Sequence, residues 1–239
     1  MIKGVNAAEI YNSEKSEEQI LEDLIVTDEQ KEYINKKILD IKEDNYGQNN
    51  FERGKALEEL MTYILEATNI FQCIDNKHTS SNEFDILVKL NFHGRNLRAK
   101  KIIPEWIPDK FLIECKNMSD PVKVGLLGKF YSLIKQSKIT LGIFVTKNSI
   151  SGKYQKKDKD SKERYWKDAN AFINKINLKY SESSNPINLL DLELKDIELI
   201  TKKCTSILEL IEIRKDQIEL DVNSDLDEWI GVHENENKF

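Results

Sequence analysis

The sequence predicts an α/β fold with a helical extension at its N-terminus, and three observations carry that reading. Short apolar runs of strand length, Phe71–Ile74, Phe84–Leu90, Phe111–Lys116 and Leu141–Thr146, alternate with longer segments of helical periodicity. The helix-period stretch after Pro121 separates the last two runs as in a βαβ unit, which makes them parallel neighbours. At 239 residues the chain is also long enough to bury a substantial core around such a sheet.

The elements follow in order. Ser16-Glu17-Glu18-Gln19 and Thr27-Asp28-Glu29-Gln30 are capping-box patterns, each opening a helix. Behind the second box, Ile34, Ile38 and Ile41 recur at helical spacing. The polar stretch Glu43 to Asn50 is turn-rich and marks a boundary. From Phe51 to Ala67 an amphipathic helix carries the apolar stripe Leu57, Leu60, Met61, Ile64 and Leu65. Its two adjacent acids part company under the 3.6-residue period. Glu58 falls on the margin of the buried stripe, in line with Met61 and Leu65, whereas Glu59 points to solvent with Lys55, Thr62 and Glu66. Between the second and third strands, Gly94, Pro104 and Pro108 argue against a continuous element over Asn91–Lys110, an insert rich in basic residues (Arg95, Arg98, Lys100, Lys101). Pro121 opens the next helix, in which Gly125 and Gly128 are expected to permit close packing on the sheet. A lysine-rich stretch from Gly152 to Lys167 precedes a helix over Trp166–Ile176. A last strand at Pro186–Leu190 is followed by helical residues from Leu194 to Ile213. The expected division is an acidic helical extension over 1–50, one domain over 51–220, and an acidic, poorly ordered tail over 221–239.

Net charge is −6, but its distribution is uneven. Residues 1–50 hold 6 Lys/Arg against 12 Asp/Glu and residues 186–239 hold 6 against 14, whereas residues 51–185 hold 24 against 16. A positive middle block between acidic flanks is the layout of a polyanion-binding core. No run has the length of a membrane span and the N-terminus lacks a signal-peptide core, so a cytoplasmic protein is expected. Cys73, Cys115 and Cys204 are odd in number and lack metal-ligand spacing, which excludes a disulfide framework or structural zinc as the organising device. Tyr154, Tyr165 and Trp166, interleaved with lysines, suit either stacking on bases or packing, with packing the favoured reading, and His78, His93 and His233 have no ligand spacing.

The chemistry concentrates in two strands. Glu114 and Lys116 are two residues apart at the end of an apolar run, so they share one face while Ile113 and Cys115 share the other. Cys115 is expected to be a buried strand residue. Asp85 lies in the run Phe84–Leu90, and pairing of the two strands brings two carboxylates and a lysine together. Such a set suits a hard divalent cation beside a phosphodiester, whose cleavage needs an activated water and neutralised charge on the phosphate. Asp85 and Glu114 would hold the ion, with the backbone carbonyl of Cys115 as a third ligand. Glu58 would bind a second ion or orient its waters, and Lys116 would hold the attacking water. Mutual repulsion of Asp85 and Glu114 in the metal-free state predicts that removing either acid raises thermal stability in chelator.

The order helix with an acid, strand with Asp, strand ending in Glu-x-Lys, helix, strand resembles the core of the PD-(D/E)xK nuclease superfamily. Within it the chain is most similar to Mrr-type restriction endonucleases. The matching pieces are Gly54-Lys-Ala-Leu-Glu58, Glu83-Phe84-Asp85, Ile113-Glu114-Cys115-Lys116-Asn117 and Gly142-Ile143-Phe144-Val145-Thr146, within about residues 51–150. Phe84 replaces the proline of the superfamily's name, and Glu114 stands where Mrr-type proteins often have glutamine. The resemblance implies a restriction-endonuclease-like core, a mixed central sheet flanked by helices, and the roles just given to Glu58, Asp85, Glu114, the Cys115 carbonyl and Lys116. It further implies a Mg²⁺-dependent DNA endonuclease of restriction or phage defence, with Mn²⁺ able to substitute, acting on duplex DNA as a homodimer or with a further protein subunit. The alternatives are a non-cleaving nucleic-acid-binding subunit and a nuclease acting on RNA or branched DNA.

Overall fold

The computed structural model describes residues 20, 24–46, 50–78, 83–153, 168–180, 186–222 and 224–230. The capping box at Ser16, the stretch 154–167 with Tyr154, Tyr165 and Trp166, and residues 231–239 lie outside them. Five strands form one mixed sheet in chain order: β1 (Phe71–His78), β2 (Glu83–Leu90), β3 (Lys110–Lys116), β4 (Leu141–Thr146) and β5 (Asn188–Glu193). The first three run antiparallel to one another, and β3, β4 and β5 run parallel. This is the restriction-endonuclease-like α/β architecture expected, and β4 has the predicted bounds. Every residue of β4 is buried, as a central parallel strand covered on both faces must be.

Two helices enter from the N-terminal side. Helix α1 (Asp28–Glu43) begins at Thr27, whose side chain accepts from the Gln30 N–H while the Gln30 side chain accepts from the Thr27 N–H, the reciprocal cap the sequence predicts. Ile34, Ile38 and Ile41 are its buried face. Helix α2 (Asn50–Ala67) buries Leu57, Leu60, Met61, Ile64 and Leu65. The two helices are tied by Lys37–Glu59 (3.0 Å), by Arg53 Nε against the Asp44 carboxylate (2.7 Å) and by the Tyr33–Tyr63 ring pair. So α1 is packed on the core rather than set apart from it.

Several elements differ from expectation. The insert contains a helix, α3 (Phe92–Ala99), started by Asn91, whose side chain accepts from the Gly94 N–H. Gly94 is required there because a Cβ would stand 2.4 Å from the Ile70 carbonyl oxygen, while both prolines fall beyond the helix end. Helix α4 (Val124–Gln136) starts later than Pro121, because Val122 is already bonded to the segment after β4, donating to Ser149 O and bridging Ile150. Its close approach to the sheet is made not by Gly125 or Gly128 but by Gly142 of β4, where a Cβ would lie 2.1 Å from Ile134 Cδ1. Helix α5 (Ala169–Tyr180) follows. The expected helix over 194–213 is broken into α6 (Leu194–Ile197), α7 (Leu199–Lys202) and α8 (Ile207–Glu219). Cys204 turns left-handed (φ 55°) and Ser206 caps a fresh start. Within the expected tail, residues 224–230 dock on the body: Leu226 is buried and Trp229 Nε1 donates to Ser224 Oγ. No helix of the described residues is long and apolar enough to cross a membrane.

Beneath β5 lies an ionic network the sequence reading missed. Asp191 is wholly buried and accepts from Lys153 Nζ (2.8 Å) and from Arg214 Nε and Nη2 (3.0 and 2.6 Å), both cations being buried too. Arg214 also meets Gln217, and Lys153 reaches Glu193 at 3.1 Å. Burial opposes ionisation of Asp191, but the two cations outweigh it and hold its carboxyl down at about 2. Asp196, pushed up by burial to about 6, holds the Glu193 N–H. Stability from Asp191 is therefore present above its ordinary titration range and is lost as pH falls through about 2. Asp191→Asn is expected to cost about 3–5 kcal/mol in urea unfolding at pH 7, since both cations stay buried with their shared partner neutralised. The gap to wild type should narrow toward pH 2.

Candidate active site

The register of β2 on β3 sets Ile86 opposite Ile113 and Leu87 opposite Leu112, which carries Asp85 to the level of Glu114. Asp85 Oδ2 accepts from the Cys115 N–H (2.7 Å) and lies 3.2 Å from Lys116 Nζ. The same ammonium lies 2.6 Å from Glu114 Oε1 and donates to the Cys115 carbonyl at 3.0 Å. Three oxygens thus share one cation, and they are the three the sequence reading named as ligands. The side chains of Asp85, Glu114 and Lys116 keep 16, 18 and 25 % of their surface, enough for a ligand to reach them. Burial disfavours the charge on Lys116, but Glu114 and Asp85 prevail and hold its pKa above the ordinary lysine value.

Helix α2 brings Glu58 to the same end of the sheet. Glu58 is half-buried and Glu59 exposed, as the helical phase predicts, and Glu59 is engaged by Lys37. The Cys115 thiol, fully buried, has its pKa pushed well up by that burial and by the charges of Asp85 and Glu58, so it is a core group and no nucleophile. Asn117 Nδ2 donates to Arg53 O of α2 (2.7 Å), pinning the helix that carries Glu58 to the residue after Lys116. On the other side, the Lys147 N–H donates to Lys116 O, and Asn148 Nδ2 donates to Met118 O and Ser119 O. Asn117 stands in the motif quoted above, but its anchoring role is not readable there. Asn148 shows in the sequence only as a polar residue after a buried strand.

The basic insert is largely committed to structure. Arg95 Nη1 donates to Leu90 O, and Arg98 donates to Ile107 O and pairs with Asp109 at 2.6 Å. His93 is exposed on α3, and His78 ends β1 opposite Glu83.

The expected repulsion between Asp85 and Glu114 is corrected by this geometry. Lys116 lies between their charges, and Asp85 also satisfies a backbone N–H. Asp85→Ala should therefore lower the melting temperature in chelator, with a loss of about 1–3 kcal/mol for the unpaired N–H and ammonium. A thermal melt in EDTA checks it.

Among the described residues no group of three His, Cys, Asp or Glu side chains is gathered closely enough to hold a metal ion by itself. The donor chemistry nonetheless fits one: two carboxylates and a carbonyl are hard oxygen donors, and the Lys116 ammonium already stands among them as a cation. Comparison with protein families matches residues 51–166 to the restriction endonuclease family of the Mrr catalytic type. Comparison with curated proteins and with solved structures found no match. Over residues 51–166, with β1 to β4 and the Asp85, Glu114 and Lys116 cluster inside that span, the chain resembles the Mrr-type restriction endonucleases, a family of PD-(D/E)xK nucleases.

Proposed function

We propose that this restriction-type nuclease hydrolyses phosphodiester bonds of DNA with Mg²⁺, or Mn²⁺ in its place, and serves in restriction or phage defence. The observation that carries the reading is the single cation held by Asp85, Glu114 and the Cys115 carbonyl. When bound there, a divalent ion supplies charge neutralisation at the phosphate and a more acidic water. Asp85 and Glu114 hold that ion together with the Cys115 carbonyl. Asp85 is kept in place by the Cys115 N–H, so its carboxylate is oriented before anything binds. Lys116, released from the two acids, turns its ammonium to the attacking water and the scissile phosphate. Glu58, at the margin of the α2 stripe, orients water at the same ion or holds a second one. The protein's positive middle block attracts the polyanion.

The test is a cleavage panel of duplex DNA, branched DNA and RNA with Mg²⁺, Mn²⁺ or EDTA, with Lys116→Ala as the inactive control. Metal-dependent cleavage of duplex DNA is expected. Cleavage of RNA or branched DNA alone would reassign the substrate, and binding without cleavage would favour a non-cleaving subunit. On the cleaved substrate, Glu58→Gln is expected to lower kcat by about tenfold or more, near 1.4 kcal/mol of transition-state stabilisation. Glu59→Gln should leave the rate within about twofold, because Glu59 is turned toward Lys37. Reversed sensitivities would overturn the assignment of Glu58.

A further inference from the structure

A second feature lies on the same edge of the sheet. The register sets Lys116 opposite Thr146 and Thr146 opposite Glu193, so a row of strand ends runs from the candidate site to β5. At its far end is an open cavity of about 380 Å³, whose lining includes Lys42, Lys147, Lys195, Ser149 and Glu193. Two strand spacings, about 10 Å, separate this row's two ends.

The charges of the lining are not equivalent. Lys42 is paired with Glu198, and Lys195 with Asp225. The Glu193 carboxylate accepts from Ser149 Oγ (3.0 Å) and is shared between buried Lys153 (3.1 Å) and Lys195 (3.7 Å), so it offsets Lys195 among the lining lysines. Lys147 is half-buried, and among the described residues its ammonium has no carboxylate or hydrogen-bond partner. Its backbone N–H donates to Lys116 O at 3.1 Å, so its position is fixed to the peptide of the lysine in the candidate site. Among the described residues no aromatic side chain lines the cavity, and its lysines favour an anion held by ammonium groups.

We propose that this cavity holds a backbone phosphate of the nucleic-acid strand engaged at the Asp85–Glu114–Lys116 cluster, with Lys147 as its principal contact. The proposal rests on the nuclease reading and deepens it: substrate is gripped at a flanking phosphate as well as at the scissile one. DNA and RNA offer the same phosphodiester, and the experiment separates them.

The experiment titrates labelled duplex DNA, single-stranded DNA and RNA against salt in Ca²⁺, using wild type, Lys147→Gln and Lys147→Arg. One lost phosphate contact should reduce the slope of log affinity on log salt by about 0.9 on duplex or about 0.7 on a single strand, and Lys147→Arg should restore it. A packing role for Lys147 would not move that slope. In cleavage, Lys147→Gln should raise KM more than it lowers kcat. If Lys147→Gln fails to melt cooperatively, Lys42→Gln and Lys195→Gln probe the same cavity, and a reduced slope in either supports the site. Unchanged slopes in all folded variants, with wild type still binding steeply, would overturn the phosphate site and leave the nuclease reading standing. A wild type with no affinity for any of the three polymers at low salt would overturn both.

Discussion

The pairing of β2 with β3 is the constraint on which the candidate site depends. Asp85 and Glu114 are separated by 28 intervening residues and are brought level only by the register that sets Ile86 against Ile113. A slip of one residue would move Asp85 to the other face, since side chains alternate along a strand. The register is protected by burial, as Ile86 and Ile113 are fully buried, and by the bond from the Cys115 N–H to Asp85. One carboxylate therefore serves both the sheet and the site. That double duty links stability to chemistry at one atom.

Around this pair the molecule is braced from two directions. Asn117 fastens the end of β3 to α2, and the Arg53–Asp44 and Lys37–Glu59 pairs fasten α2 to α1, so the N-terminal helix steadies the element that carries Glu58. On the opposite side, Lys147 and Asn148 join the end of β4 to the residues after Lys116. Under β5 the Lys153–Asp191–Arg214 network holds two cations on one buried carboxylate. Such a network is costly to desolvate and weak support for net stability, but it is unforgiving of a missing partner. It fixes where β5 and the segment leaving β4 meet.

The sheet and the motif were legible because they rest on local patterns. The run LGIFVT marked β4 to the residue, Thr27 and Gln30 marked the start of α1, and the helical phase separated Glu58 from Glu59. What the sequence hid depends on contacts between distant segments. Gly94 reads as a helix breaker until the Ile70 carbonyl beside it is known, and Gly142 reads as an ordinary strand residue until Ile134 fills its missing side chain. Arg95 and Arg98 read as a basic patch, but their guanidinium groups bond carbonyls and Asp109. The buried network left one trace: Asp191 in an apolar run and Arg214 beside Ile213 on an apolar helix face, each an ion where the period calls for a hydrophobe.

The central claim is that Asp85, Glu114 and the Cys115 carbonyl form a cation site in which the Lys116 ammonium stands until a divalent ion displaces it. Calorimetric titration of Mn²⁺ into wild type and Lys116→Met tests this directly. Removing the competing ammonium should tighten Mn²⁺ binding even as cleavage is lost. Unchanged or weaker Mn²⁺ binding by a folded Lys116→Met protein would contradict it.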